Sequence, residues 1–422
     1  MSTLTISQAS CADDYDPNSM PVAKARSFIH QFLDPVTAAV RVPVRSALGR
    51  VLAEDVVSPV DVPAHRNSAM DGWAVRAADL KPDAETVLAE IGSSFAGRPF
   101  GGSVGPGQCV RIMTGGVVPE GVDTVVMQER AKASGKSIAI ASGPKAGQHV
   151  REAGEDLKRG SVALRRGRIV RPAELGLVAS LGIGEVAVYR RLRVAFFSTG
   201  DELKSIGTPL GEGEIYDSNR YTIHGMLTRL GCEVLDLGVV RDDPKLLERA
   251  FREAAASADV VITSGGVSVG EADFVKDLLG RLGEVVFWKI AMKPGRPLAY
   301  GKIGGAHFFG LPGNPVSVMV TFYQFVRDAL LALMGVDPVA APPTFTARCT
   351  ARLKKVPGRT EFQRGVLARE ADGTLAVRPT GEQGSGILKS MSDANCFIIL
   401  GDETGNVEPG TMVEVQLLEG LV

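Results

Sequence analysis

Between Arg193 and Gly335, short apolar runs alternate with helix-patterned segments, and this constrains the fold more than any other feature of the chain. "RVAFFS", "EVLDLGVV", "DVVITS", "EVVFWKIAM" and "AHFFGL" read as strands. Between them, "DSNRYTIHGMLTRLG" predicts a helix capped near Asp217 or Ser218 and closed by Gly231. "PKLLERAFREAAAS" predicts a second helix with Pro244 near its first position, and "EADFVKDLLGRLG" a third ending at Gly283. "PVSVMVTFYQFVRDALLALMG" predicts a fourth, long and again opened by proline. Strands and helices alternating at this spacing predict a doubly wound parallel sheet covered on both faces. Ligands of such sheets sit beyond the carboxyl ends of the strands. "STGDEL" (198–203), "VVRDD" (239–243), "TSGGVSVGEAD" (263–273), "KIAMKPGRP" (289–297) and "LPGNP" (311–315) all fall there.

The flanks read differently. Short apolar runs broken by Gly and Pro predict a β-rich insert domain over 58–160. The helices "ARSFIHQFL" and "AELGLVASLG" belong to a small α/β linking domain made of two separated pieces, 21–57 and 161–190. The sheet domain takes 191–340, and five alternating segments after Ala341 predict a β-barrel-like domain over 341–422. Residues 1–20 are polar and lack a signal-peptide core, so they are expected to be a flexible lead-in.

Charge and cysteine usage narrow the function. A formal net charge of −1 gives no electrostatic case for nucleic acid, and no apolar run is expected to span a membrane. Five dispersed cysteines without a CxxC pair argue for reduced thiols in a cytoplasm, against zinc or a disulfide scaffold. Five scattered histidines leave a hard, oxygen-held cation such as Mg²⁺ as the expected metal. The P-loop pattern GxxxxGK[ST] is missing, and Gly265, Gly266 and Gly270 do not fit GxGxxG.

"ITSGGVSVGEADF" (262–274) sets a strand, a glycine turn and a helix start in the order that makes an anion cradle, yet acids stand at its lip. Taken alone, Glu271 and Asp273 read as first-turn acids favoured by the helix dipole. Glu202 and Asp242 add carboxylates at the same sheet edge, and a divalent cation bridging Glu202, Asp242 and Asp273 to phosphoryl oxygens reconciles acids with cradle. Lys289, Lys293 and Arg296 form a compact basic set, whose bland reading is a solvated strand end. "KPGRP" and "LPGNP" share the xPGxP form, and Pro315 at a helix start leaves N–H groups free beside Pro312, Gly313 and Asn314. Two tight turns with three cations suit a tetrahedral oxyanion better than a planar carboxylate. "NSAMDGWA" (67–74), holding Asp71, and "GEQGSGILKS" (381–390), holding Ser385, need structurally be no more than turns. "RIMTGGVVPEGVDTVVMQE" (111–129) reads as a hairpin-like pair with Thr114 beside two glycines.

Together "NSAMDGWA", "RIMTGG", "REAGEDL", "FFSTGDEL", "IYDSNR", "TSGGVSVGEADF", "KIAMKPGRPL" and "LPGNPVS" resemble the molybdopterin molybdenumtransferase family, bacterial relatives of the gephyrin E domain. The resemblance runs from about Val22 to the C-terminus. It implies four domains, the central one binding molybdopterin, and an elongated homodimer with its active site between subunits. It further implies insertion of molybdate into adenylylated molybdopterin with Mg²⁺ assistance, releasing AMP. By motif, Asp71, Thr114, Glu202, Asp242, Asp273, Lys289 and Lys293 fall on catalytic positions. Arg151, Asp156, Ser198, Gly200, Asp217, Gly265, Gly266, Gly270, Arg296, Pro312, Gly313, Asn314, Pro315, Arg364 and Ser385 are expected to bind substrate. Trp73 stands where the family often has Tyr. Lys289 and Lys293 are expected to hold molybdate, and the three acids the metal. A molybdopterin adenylyltransferase shares the sheet and is the rival enzyme, with hand-over contact between the two as a further expectation. A gephyrin-like scaffold is the rival outside catalysis; the chain shows no appended domain or long Pro/Ser-rich linker.

Overall fold

Strand Arg193–Thr199 turns its residues alternately into two cores. Val194 and Phe196 join a cluster with Ile223, Leu227 and Phe325, whereas Ala195 and Phe197 join one with Leu247, Phe251 and Leu279. This is the period-2 signature of a strand covered on both faces. The computed structural model describes residues 5–11, 19–266, 273–418 and 420, with the side chains of Cys11, Asp273 and Phe274 outside that description. The central sheet runs Glu233–Val240, Arg193–Thr199, Val260–Ser264, Ala306–Leu311, Pro297–Ile303, Gly283–Lys289. Helix Ser218–Leu230 packs on one face, and Pro244–Ser257 and Asp273–Leu282 on the other. Asp217 caps the first helix by accepting from the Arg220 N–H, and Gly231 closes it in the left-handed region at φ 83°.

The sheet is not wholly parallel. Pro297–Ile303, unassigned from sequence, runs antiparallel to both neighbours, while the other three pairings, from Glu233–Val240 through Ala306–Leu311, are parallel. Its connection to Ala306–Leu311 is a two-residue Gly304–Gly305 turn, a hairpin signal rather than a crossover. Gly283 opens a strand instead of ending a helix. A Cβ there would stand 1.9 Å from the Lys302 carbonyl oxygen, so the close pairing demands glycine.

The long helix forms as Pro315–Thr321, a π-helical turn Phe322–Val326, and Arg327–Leu333. Contrary to the expectation that no run reaches membrane-span length, Pro315–Leu333 is long and apolar enough, with mean hydropathy 1.4. Its window is 78% buried inside the protein, where Val316, Phe322, Phe325 and Leu330 fill the main core.

The insert region builds a six-stranded sheet around Gly72–Val75. Gln108–Ile112 and Thr124–Met127 both pair with that strand and not with each other, which corrects the hairpin reading of 111–129. Ala47, Leu52 and Val56 share one core with Leu164, Val178 and Val188 from the second piece of the linking region. Beyond Ala341, five strands close on themselves: Thr360–Arg369 pairs with both Leu375–Pro379 and Cys396–Leu400, and Thr344–Cys349 and Met412–Leu417 complete the barrel. Closure removes every sheet edge.

Within the stretch expected to be a flexible lead-in, Ile6–Cys11 is helical and lies on the edge strand Gly283–Lys289. Ile6 is buried, its N–H bonds the Glu284 carboxylate, and Met20 is fully buried beside Ile290. An exposed edge with Trp288 beneath it gives even a polar-looking segment something to cover.

Candidate active site

Three groups of predicted residues lie beyond the carboxyl ends of the strands or beside them, and a fourth stands apart in the insert, each with its own chemistry.

At the switch between Arg193–Thr199 and Val260–Ser264, the backbone approaches too closely for side chains. Gly265 (φ 89°) would place a Cβ 2.5 Å from the Thr199 carbonyl oxygen, and Gly266 (φ 69°) one 2.9 Å from Thr199 Oγ1. Ser198 is buried beside them. Asn219 Nδ2 donates to Ser264 Oγ at 2.8 Å and to the Gly313 carbonyl at 2.6 Å, and Ser264 Oγ lies 3.4 Å from the Pro312 carbonyl. The TSGG and LPGN loops are thereby tied together. Gly270 lies outside the described residues; Asp273 opens its helix, but its side chain lies outside them too.

Beside this crevice, Gly200, Asp201, Lys204, Arg241 and Asp242 line a cavity of about 530 Å³. Gly200 (φ 148°) lies under the Glu202 carboxylate, whose Oε2 would be 2.5 Å from any added Cβ. Asp243 spends its side chain capping helix Pro244–Ser257, which leaves Asp242 for the cavity. Burial, reinforced by Asp201 and Glu202, raises the Asp242 carboxyl above the ordinary aspartate value. Such a crowd of like charges is relieved by a cation. Among the described residues, however, no group of three or more His, Cys, Asp or Glu is preassembled for a metal.

A cavity of about 660 Å³ lies between the KPGRP turn, the Pro315 helix start and the barrel. Lys293, Arg296, Asn314 and Ser385 line it, joined by Arg352, Lys354 and Arg359 from the barrel. Met292–Lys293 pairs in parallel with Thr360–Glu361, and Gly295 (φ 97°) packs against Thr321 Oγ1, so the turn is fixed on two sides. Lys293 Nζ stands 3.8 Å from the buried Glu361 carboxylate. Lys289 ends its strand without lining the cavity, its carbonyl accepting from Met20 N–H. One N–H expected to be free after Pro315 is taken: Val316 N–H donates to the Ser385 carbonyl at 3.1 Å. Arg364 does not line this cavity either. It is 1% exposed and holds the loop, with Nε on Ser390 Oγ (3.0 Å) and NH2 on the Gly384 carbonyl (2.9 Å); burial brings its guanidinium down to about 10.

In the insert, Asp71 Oδ1 accepts from both the backbone N–H and the hydroxyl of Thr114. These bonds hold the Asp71 carboxyl below its ordinary value. Arg111 stacks over Trp73 at 4.3 Å, so the tryptophan standing in place of tyrosine contributes a face rather than a hydroxyl. Arg151 is paired with Asn67 on the adjoining strand, and Asp156 N–H bonds the Val62 carbonyl. Among the described residues, no hydrogen bond or ion pair ties this corner to the loops of the central sheet.

Sequence reasoning missed Asp201, Asn219 and the basic trio Arg352, Lys354 and Arg359. The run "RLKKVPGR" (352–359) carried the signal for the trio, a cluster of cations on a Pro-Gly turn between two barrel strands.

Three family models match the chain in order: "MoeA N-terminal region (domain I and II)" over residues 20–182, "Probable molybdopterin binding domain" over 195–332, and "MoeA C-terminal region (domain IV)" over 346–418. A molybdopterin molybdenumtransferase of Haemophilus influenzae is 47% identical over 394 residues, covering 93% of this chain and 97% of the relative. Molybdopterin molybdenumtransferase 2 of Mycobacterium tuberculosis is 38% identical over 386 residues, covering 89% and 94%. The crystal structure of a molybdopterin biosynthesis moeA protein from Pyrococcus horikoshii OT3 superposes with a TM-score of 0.81 at 29% identity, covering 95% of this chain and 100% of that one.

Proposed function

The chain belongs to the molybdopterin molybdenumtransferase family, and from that premise we propose that it inserts molybdate into adenylylated molybdopterin, releasing AMP and the finished cofactor. Insertion of molybdenum into molybdopterin is the activity that its relatives' name carries. One observation supports the finer reading most: the 660 Å³ cavity gathers Lys293, Arg296, Arg352, Lys354 and Arg359 around the Asn314 and Ser385 loops. Convergent cations and short polar groups on rigid turns match a tetrahedral dianion.

We propose a division of labour among these groups. The glycines at 265 and 266 let the backbone approach a phosphoryl group, and the lysine and arginines of the neighbouring cavity hold the oxyanion. Glu202 and Asp242, with Asp273 from the adjoining helix start, would hold Mg²⁺, and Asp201 adds charge beside them. Bound there, Mg²⁺ neutralises phosphoryl charge. Asp71, kept ionised by Thr114, presents a fixed carboxylate from a separate lobe. That separation supports a homodimer in which one subunit's insert completes the other's crevice. Four described cysteines, all buried and free, are compatible with a reducing cytoplasm. Hand-over of substrate from the adenylyltransferase completes the proposal.

Supplying adenylylated molybdopterin with molybdate and Mg²⁺ should yield AMP and active cofactor. Turnover of ATP with unmodified molybdopterin, giving pyrophosphate and no molybdenum insertion, would assign the chain to adenylyl transfer instead.

A further inference from the structure

A carboxylate is buried directly behind a wall of cations. Glu361 is 2% exposed, and its Oε1 stands 3.8 Å from Lys293 Nζ and 3.7 Å from Arg359 Nε. Both cations line the cavity between the KPGRP turn and the barrel, whereas Glu361 does not. Backbone pairing fixes the arrangement: Lys293 and Glu361 are in register on parallel strands, and Glu361 is also paired with Leu400 in the barrel. Gln363 Nε2 donates to Glu361 Oε2 at 3.2 Å and to the Lys354 carbonyl at 3.0 Å. The carboxylate is thereby tied to the loop that carries a third cavity cation.

The distances separate two roles for such a group. Burying a carboxylate is costly, and one kept for stability makes short charge-assisted bonds. Asp259 does so, accepting from Arg190 at 2.6 and 2.7 Å. Glu361 meets its two cations outside hydrogen-bonding range, and both stay accessible, with side chains 47% and 38% exposed. Their donors remain available to a ligand while the buried charge acts on them through space.

That charge acts equally on whatever the cations hold. Lys293, Arg296, Arg352, Lys354 and Arg359 line the cavity, with Glu382 as the acid among them. Arg352 also meets Glu408 at 3.1 Å, an exposed pair that solvent weakens. A larger surplus of positive charge would retain a dianion that has to move on to the pterin.

We infer that Glu361 is a positioning residue that sets the strength of the oxyanion site. It fixes Lys293 and Arg359 and offsets part of their charge, so that molybdate is bound weakly enough to be passed on. The inference rests on the molybdate reading of this cavity.

Glu361→Gln keeps the shape and the acceptor for Gln363 and removes the charge. Sodium molybdate is titrated calorimetrically against the full-length chain at low salt, with sodium sulfate as a second tetrahedral dianion and thermal melting as the control for folding. Both dianions should bind about tenfold more tightly to the variant, since a unit charge a few ångströms away is worth at least that at an effective dielectric of about 20. Turnover of adenylylated molybdopterin at saturating molybdate should fall, so that KM for molybdate and kcat drop together. Glu361→Asp, which keeps the charge, should behave like wild type. Glu361→Ser removes the charge by another route and should tighten binding as Gln does, which keeps the test open if the Gln variant melts early. Loss of a merely structural contact would scatter the cations and weaken binding. Unchanged or weaker binding in the charge-free variants, tightening in Glu361→Asp, or tighter binding with undiminished turnover overturns the inference. Molybdate binding that survives Lys293→Ala unchanged would instead overturn the oxyanion reading beneath it.

Discussion

Asp71 Oδ1 accepts two hydrogen bonds from one residue, the Thr114 backbone N–H at 2.7 Å and its hydroxyl at 2.8 Å, across 43 positions of sequence. Thr114→Val keeps the shape and the N–H but removes the hydroxyl donor. The Asp71 carboxyl, depressed mainly by the backbone bond and secondly by the hydroxyl, should rise partway toward its ordinary value on NMR titration. Its sign is that of a stabilising carboxylate, fully present above the unfolded aspartate value and lost as pH falls through the folded one. Because the corner is exposed, overall stability should change little. AMP release should nevertheless fall tenfold or more; full turnover would reduce Thr114 to a turn residue.

Asp242 has the opposite sign. Its folded value is raised, first by burial and then by Asp201 and Glu202, so the native state binds the proton more tightly than the unfolded chain. Stability therefore declines as pH rises from the unfolded aspartate value through the raised folded one, and the penalty is fully present at neutral pH. Asp242→Asn should melt at a higher temperature than wild type in chelator at pH 7, and Mg²⁺ should raise the melting temperature of wild type more than of the variant. A variant that melts lower in chelator, with an undiminished Mg²⁺ response, contradicts the cation site.

Gly265 and Gly97 separate backbone strain from crowding. Both have positive φ, 89° and 74°, but a Cβ at 97 meets nothing within 4 Å, whereas at 265 it meets the Thr199 carbonyl at 2.5 Å. Gly97→Ala should cost about 1–2 kcal/mol, the left-handed penalty alone. Gly265→Ala must also displace a central strand, so its urea midpoint should fall further and substrate binding should be lost. Equal midpoints would show that the strand yields freely.

These residues also show what could be read from sequence. Asp217, Gly231 and Pro244 announced their helix ends because caps are local chemistry. Strand Pro297–Ile303 escaped because a Gly-Gly hairpin interrupts an otherwise regular alternation. Lys293 and Ser385, 92 positions apart, were each ambiguous until the barrel closed against the KPGRP turn. Asn219 was invisible as a site residue, since only the folded loops show that its amide has one end used and one end unpaired.

Lys293 tests the oxyanion cavity. Lys293→Ala removes a cavity cation that also faces buried Glu361 at 3.8 Å. The molybdate concentration for half-maximal insertion should rise roughly ten- to a hundredfold, the value of a charged hydrogen bond, with molybdopterin affinity little changed. Excess molybdate should partly restore the rate, and excess Mg²⁺ should not. If molybdopterin affinity falls while molybdate dependence stays, the lysine holds phosphate instead.

The separation of Asp71 from Asp242 allows a test of the assembly without any structure of it. Within one chain, no hydrogen bond or ion pair among the described residues links the insert corner to the central loops, and the proposal is that a site using both takes one from a second copy. Asp71→Asn and Asp242→Asn should each be inactive alone. In a dimer with shared sites, a heterodimer of the two variants has one site carrying both defects and one carrying neither. Random exchange makes half of the dimers heterodimers, each with one intact site of two, so mixing should restore about a quarter of wild-type activity. Sites built within single chains would leave the mixture as inactive as its parts. A chain that sediments as a monomer while fully active would exclude sharing altogether.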